Sequence, residues 1–331
     1  MLTALKCGNI IWLDKTNCKN IVQRGDLMRY TDFNMREHGF VGHMAEPEEA
    51  TKQAVLVISG GEKSILPGIK IAERFAEYGI CALAVSLFGA EGLPKGVDQI
   101  PLDMFEKAVR YLHDVKGMDS VSTYGMSMGS IFAALIAKHV AGIDNVIMVS
   151  PSHVPFEGSI DKKNMTGHSM MTWRGKELPF VKLDFSTKKA GKYYYDQQAG
   201  RKVTGMWSSY KEAYQDKMAE RQAAIHIEEL DARILLIAGP GDEAWPADYS
   251  VDYLKKRLDE AGYDKDYEAV IYPKASHILG IMPSRESNKV LYRMLPLIGI
   301  IYRSINTHRK DCMKALGDSE RKIIEWIKND F

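Results

Sequence analysis

Ser127 stands at the centre of Gly125-Met126-Ser127-Met128-Gly129, a G-x-S-x-G pattern. The β-type run Val121-Ser122-Thr123-Tyr124 precedes it, and the small-residue helical run Ile131-Phe132-Ala133-Ala134-Leu135-Ile136-Ala137 follows. Five letters of this kind also occur in ordinary glycine-rich βα turns, so the flanks decide. Strand, tight turn and helix together make an elbow that lifts a serine oxygen clear of a sheet. The N–H of the next residue and the helix N-terminus then face the same space. A serine hydroxyl is a weak nucleophile until an imidazole takes its proton, and that imidazole needs a carboxylate to fix its tautomer. The chemistry these types imply is attack on a carbonyl carbon, with fixed N–H donors for the oxyanion.

Open parallel sheets bind ligands at the carboxyl ends of their strands. Two further residues of the required types fall at such ends. Asp242 follows the run Arg233-Ile234-Leu235-Leu236-Ile237-Ala238, within Gly239-Pro240-Gly241-Asp242-Glu243-Ala244-Trp245-Pro246. His277 follows Glu268-Ala269-Val270-Ile271-Tyr272, within Pro273-Lys274-Ala275-Ser276-His277. Among nine histidines, only His277 combines the end of the last strand with a serine–acid–histidine order. His153 also follows a strand and is the main rival base. Glu243 is the rival acid, but a turn points neighbouring side chains apart. Asp231 precedes its strand and lies at the wrong end. For the oxyanion, the expected donors are the Met128 amide and one amide from Gly60-Gly61-Glu62, at Gly61 or Glu62.

The elements that must hold these residues alternate regularly. Ala54-Val55-Leu56-Val57-Ile58-Ser59, Ile80 to Val85, the elbow strand, Asn145 to Ser150, the 233–238 run and the 268–272 run read as short buried strands. Between them, residues 66–78, 101–115 and 247–261 carry helical periodicity, with Pro101 near the start of the second. Strands alternating with helices mean βαβ units and a mostly parallel, right-handed sheet. A further strand is expected within 39–44, a β-like piece at Asn9–Leu13, and tail helices near 287–305 and 318–329. The whole reads as one α/β domain over 1–331, with 1–50 as N-terminal edge strands.

The rhythm pauses between 151 and 232. Residues 152–230 read as a cap insertion over the strand ends, since an interruption this long within a sheet protein is usually functional. Residues 207–224 within it look helical. Residues 155–205 hold ten Lys/Arg against five Asp/Glu, a surplus of five. Any one lysine or aromatic there is read first as a solvated face or the cap's own packing, and substrate contacts are expected somewhere within the segment.

Composition excludes other classes. The chain has 331 residues, 45% apolar, and a net charge of +1, so no overall field points to nucleic acid. Cys7, Cys18, Cys81 and Cys312 are scattered, without metal-ligand or disulfide-framework spacing. No metal or cofactor is expected. The N-terminus lacks the pattern of a secretory signal, and no apolar run approaches the roughly 18 residues of a membrane span. The longest, Met294 to Tyr302, is about half that. A soluble cytoplasmic protein is the expectation; the oligomeric state is not legible.

The order Ser, Asp, His with an elbow is that of the α/β-hydrolase fold. More specific features narrow it. Gly79-Ile80-Cys81-Ala82-Leu83-Ala84 is followed by Gly92-Leu93-Pro94-Lys95, and the helix before the elbow reads Leu102-Asp103-Met104-Phe105-Glu106-Lys107-Ala108-Val109-Arg110-Tyr111-Leu112. With the elbow and the two late loops, residues 53–285 resemble the C-terminal domain of the acyl-CoA thioesterase / bile acid-CoA:amino acid N-acyltransferase family, within the dienelactone-hydrolase-like group. The resemblance implies Ser127 as nucleophile, Asp242 as acid and His277 as base. It also implies a small acyl thioester or ester as partner. The glycine-rich run after the first buried strand is short here, and Ser276 replaces the family's glycine before the histidine. Animal members carry an N-terminal β-sandwich of about 100 residues, longer than the fifty or so residues before this core. Transfer to amino acids goes in that family with a cysteine nucleophile, so Ser127 implies hydrolysis. Thioester hydrolysis is the first expectation. Oxygen-ester or lactone hydrolysis is the second, and an inactive binding protein on the same fold a third.

Overall fold

Runs that are apolar at nearly every position have to be covered on both sides. The computed structural model of the chain, which describes residues 28–160, 164–186, 192–197, 199–282, 298–300 and 302–329, shows how. In chain order the first elements are β1 (Arg29–Phe33), the single turn α1 (Met35–His38), β2 (Gly42–Glu46), β3 (Gln53–Ile58), α2 (Leu66–Glu77) and β4 (Cys81–Val85). Then follow the two-residue β5 (Ile100–Pro101), α3 (Asp103–Arg110), β6 (Ser120–Met126), α4 (Met128–His139) and β7 (Asn145–Val149). Short strands come next: β8 (Glu157–Ser159), β9 (Met165–Ser169), β10 (Met171–Trp173), β11 (Lys176–Glu177), β12 (Tyr193–Asp196) and β13 (Arg201–Thr204). Helices α5 (Gly205–Ala213) and α6 (Lys217–Ala223) lead to β14 (Arg233–Ala238), α7 (Ala247–Ala261) and β15 (Tyr267–Ile271). A short helix, Arg303–Thr307, and a long one, Arg309–Lys328, close the described chain.

The main sheet has eight strands in the order β1-β2-β4-β3-β6-β7-β14-β15. From β4 to β15 every pairing is parallel, while β2 runs antiparallel to both of its neighbours. This is the α/β-hydrolase fold. Side chains alternate across it with period two. Leu56, Ile58, Leu83 and Met148 join the layer of α3, α4 and α7, where Phe105, Phe132 and Leu254 are buried. Val55, Val57, Tyr124, Ile147 and Ile237 join the opposite layer, with Phe75 of α2 and Ile323 and Trp326 of the last helix.

Several boundaries differ from the sequence reading. Pro101 lies in β5 rather than in a helix: Leu102 N–H donates to the Thr172 carbonyl, and helix α3 begins one residue later. Its last turn widens into a π-turn over Tyr111–Val115. The 207–224 helix is two helices, because Asp216 breaks the run and caps α6 by accepting from the Met218 and Ala219 amides. The last helix starts at Arg309 rather than near 318, since Cys312, Ala315 and Leu316 extend its buried stripe. The strand expected at 39–44 begins at Gly42, after Gly39 has closed α1 in the left-handed region (φ 73°). The piece at Asn9–Leu13, Cys7, Cys18 and most of the 287–305 helix lie outside the described residues. Among those described, no helix is long and apolar enough to cross a membrane.

The segment between β7 and β14 is fastened to the loops above the sheet. β10 pairs in parallel with β5, and Val97 bridges to Ser159. Deeper down, buried His153 joins three elements. One ring nitrogen lies 3.0 Å from Ser250 Oγ of α7 and the other 3.1 Å from Glu220 Oε1 of α6. Lys217 Nζ and Tyr249 Oη donate to the same carboxylate at 2.8 and 2.9 Å. Burial by itself would raise the Glu220 pKa, but the donors from His153, Lys217 and Tyr249 win and bring it down to about 2. Burial pushes the His153 imidazole down, and the Glu220 contact only partly opposes this.

Two outcomes are expected from this architecture. A Cβ on Gly129 would lie 1.9 Å from the Ser59 carbonyl oxygen and 2.2 Å from that of Ile58. Gly129→Ala should therefore lower unfolding stability by about 1–3 kcal/mol in a urea titration; an unchanged midpoint would contradict the packing. The second concerns acid. A carboxylate with a depressed pKa stabilises the fold above its unfolded value of 4.5, and that contribution is lost as pH falls through about 2. His153, whose pKa is lowered from 6.5, loses its contribution in the same direction below that value. Glu220→Gln should lower Tm at pH 7 and flatten the decline of Tm below about pH 4.5; an equally steep decline would refute the ion network.

Candidate active site

The elbow is built by close backbone contact. β6 ends at Met126 and α4 begins at Met128, leaving Ser127 at φ 57° and ψ −127°. That conformation costs roughly 1–3 kcal/mol in a non-glycine residue and needs surroundings that over-determine it. They do so here. Ser127 N–H donates to the Val149 carbonyl at 2.8 Å, and its own carbonyl accepts from the Ser130 amide and hydroxyl at 3.0 and 2.6 Å. A Cβ on Gly125 would sit 2.2 Å from the Gly129 carbonyl oxygen. Both glycines of G-x-S-x-G are thus required by the approach of strand, helix and the end of β3.

Ser127, Asp242 and His277 come together although they arise after β6, β14 and β15. His277 Nε2 lies 2.8 Å from Ser127 Oγ, and Nδ1 lies 2.7 Å from Asp242 Oδ2. An ionised carboxylate only accepts, so Nδ1 carries a proton and Nε2 faces the hydroxyl as an acceptor. The other Asp242 oxygen accepts from the Ala244 and Trp245 amides at 2.7 and 3.2 Å, which fixes the carboxylate's plane. Asp242 and His277 are 1% and 4% exposed, so these bonds act with little competition from water.

The three loops are clamped from several sides. Ser150 Oγ donates to the His277 carbonyl at 2.8 Å, and Trp245 Nε1 to the Ser150 carbonyl at 3.0 Å. Below His277, the Ile281 amide donates to Tyr124 Oη and the Gly280 amide to Ser319 Oγ. From β13, Arg201 donates to the carbonyls of Pro240 and Asp242 at 2.7 and 2.9 Å. The rings of Trp245 and Tyr302 enclose the imidazole: Trp245 meets it edge-on at 89°, and Tyr302 lies over it at 22° with centroids 5.6 Å apart.

The rival residues are engaged elsewhere. His153 is held by Glu220 and Ser250. Glu243 is buried with one carboxylate oxygen accepting from the Ser304 amide, and burial raises its pKa. Asp231 pairs with Lys265 at 2.9 Å. Of the expected oxyanion donors, Met128 is the first residue of α4, where an N–H has no partner within the helix. Gly61 is exposed beside the Met128 side chain, and a Cβ there would lie 3.8 Å from its sulfur. Glu62 follows it, also exposed.

A cavity of about 540 Å³ opens beside the acid loop. Gly241, Arg201, Lys211, Lys217, Trp207 and Tyr249 contribute to its wall, whereas Ser127 and His277 do not. Two of its lysines have close carboxylate partners: Lys211 bonds both oxygens of Asp196, and Lys217 bonds Glu220. Sequence reasoning did not find Ser150, Arg201 or Tyr302. Ser150 carried a signal, as the last residue of the strand beside the elbow. Arg201 and Tyr302 carried none, because neither follows a buried strand of the main sheet.

The chain is similar to several known proteins. It is 25% identical over 211 residues to acyl-coenzyme A thioesterase 2, mitochondrial, of Mus musculus, covering 63% of this chain and 41% of that one. It is 23% identical over 247 residues to acyl-coenzyme A thioesterase 6 of Homo sapiens, covering 73% and 53%. The chain therefore spans about half or less of the length of these relatives. Among solved structures, a dienelactone hydrolase from Anabaena variabilis aligns with a TM-score of 0.41 and 14% identity, covering 83% of this chain and 99% of that one. An esterase from Pyrococcus furiosus aligns with a TM-score of 0.47 and 14% identity, covering 76% and 85%. The family described as BAAT / Acyl-CoA thioester hydrolase C terminal matches residues 100–286, more than half of the sequence and both the elbow and the two late loops, and the chain belongs to that family.

Proposed function

We propose that this protein is a serine hydrolase that cleaves acyl thioesters, with acyl-CoA or a related thioester as substrate. The observation that carries this reading is the unbroken hydrogen-bond chain from Ser127 through His277 to Asp242. Ser127 Oγ attacks the acyl carbonyl while His277 Nε2 takes its proton. Asp242 holds the Nδ1–H tautomer and stabilises the imidazolium. The oxyanion is met by the Met128 amide at the α4 N-terminus and by a second amide from the Gly61–Glu62 loop. Collapse releases the thiol, protonated from His277, and leaves an acyl-Ser127 ester. A water, deprotonated by the same imidazole, then hydrolyses that ester and restores the serine. In this reading residues 152–230 form a cap over a single catalytic domain and set which acyl groups enter.

A second reading, an oxygen ester or lactone as substrate, is favoured by one observation. Lys211 and Lys217, two lysines that would meet phosphates in the cavity by the acid loop, already have carboxylate partners. A panel of acyl-CoAs against p-nitrophenyl esters, with released thiol or phenol as the readout, separates the two. Faster turnover of every oxygen ester would overturn the thioester assignment.

Ser127→Ala should reduce hydrolysis by at least about 1,000-fold and abolish labelling by a fluorophosphonate. Asp242→Asn should keep the fold and lower kcat by about 1,000- to 10,000-fold, because the neutral amide no longer holds the working tautomer. Wild-type protein that neither turns over these substrates nor labels at Ser127 would be a binding protein on the same fold.

A further inference from the structure

His277 spends both ring nitrogens on Ser127 and Asp242, so its faces are what the remaining structure acts on. Tyr302, from the segment after the last strand, lies nearly parallel to the imidazole, with an interplanar angle of 22° and centroids 5.6 Å apart. That separation is within the roughly 6 Å at which a cation is attracted to an aromatic face. Trp245 abuts the same imidazole edge-on at 5.5 Å and is anchored by its bond to the Ser150 carbonyl. The imidazole is therefore a ring with its plane set by aromatic neighbours and its edge set by polar ones.

We propose that Tyr302 is a positioning residue for His277: its ring covers one face of the imidazole, holds its plane against Ser127, and stabilises the imidazolium when the serine proton arrives on Nε2. The proton passes from Ser127 Oγ to His277 Nε2 and from there to the leaving group. Tyr302 gains and loses none. The stabilisation acts only while the ring is charged, so it favours the transition state over the resting enzyme. The phenol itself stays protonated: burial, then the negative charges of Asp242, Glu62 and Glu243, raise its pKa. Negative charges that act on Tyr302 come from Asp242 and Glu243 of the loop after β14 and from Glu62 of the loop after β3, and Asp242 also bonds His277. Arg201 of β13 reaches it through the Asp242 carbonyl. The catalytic consequence rests on the serine-hydrolase reading above; the stacking itself does not.

The test uses the full chain with Tyr302→Phe, Tyr302→Leu and Tyr302→Met, each checked for an unchanged thermal transition. Leu and Met keep an apolar cover while removing the aromatic face, and either one suffices if the other fails to fold. The first readout is the NMR titration of the His277 ring, assigned by comparison with His277→Gln, and it needs no turnover. The Phe variant should titrate with wild type, and the Leu or Met variant should titrate roughly half a pH unit or more lower. The second readout is the pH profile of kcat/KM for p-nitrophenyl butyrate. The acid limb should move down by the same amount, kcat should fall about 3- to 30-fold, and KM should stay nearly constant. A Leu or Met variant that titrates as wild type would overturn the proposal. So would a Phe variant that moves as far as Leu, since the hydroxyl and not the ring would then be responsible. If wild-type protein neither hydrolyses the ester nor labels with a fluorophosphonate, the hydrolase reading fails while the ring titration still decides the stacking.

Discussion

The site depends first on a backbone contact without side chains. At Gly125 and Gly129 the elbow strand, helix α4 and the carbonyls that end β3 approach more closely than a Cβ allows. That approach holds Ser127 in a conformation an ordinary residue avoids and leaves its oxygen standing above the sheet. Gly61, in the loop after β3, lies beside the Met128 side chain at the start of α4. Had Gly125 or Gly129 been larger, the helix would have to move off the sheet and the serine with it.

The rest of the constellation comes from parallel topology. Strands that run the same way end on the same edge, so loops far apart in sequence meet there. Convergence alone leaves an imidazole free to turn. What fixes it is a set of bonds between loops: Ser150 to the His277 carbonyl, Trp245 to the Ser150 carbonyl, two amides to Asp242, and Arg201 to the acid loop. These contacts tie together the loops that follow β7, β14 and β15. Through Arg201 they also link the segment between β7 and β14 to the loop of Asp242.

The charge surplus of residues 155–205 shows how pattern and environment diverge. Ten basic residues against five acidic ones read as a positive face. In the fold, Arg174 is shared between Asp103 and Glu106 of α3, while Lys211, further along, is taken by Asp196. Within the segment itself Arg174 is engaged in this way, and Arg201 is spent on the carbonyls of Pro240 and Asp242. Salt bridges of this exposure contribute little stability each, and their main effect is to specify which surfaces meet.

The sequence by itself determined the strands, because short β-branched apolar runs have few other options, and the order of Ser127, Asp242 and His277 along them. It determined the elbow too, since only glycine permits the contacts at 125 and 129. Its errors lay where a local feature yields to a neighbour: Pro101 joined a strand because β10 lies beside it, and Asp216 split a helix by capping its second half. Tertiary structure alone decided that His153 is buried against Glu220 while His277 reaches the serine. It also decided that the Tyr302 ring stacks against the imidazole and that Arg201 reaches the loop of Asp242. The reason is physical. Periodicity reports which side of an element is buried, whereas the partner of a polar or aromatic group depends on distances between loops, which no local pattern encodes.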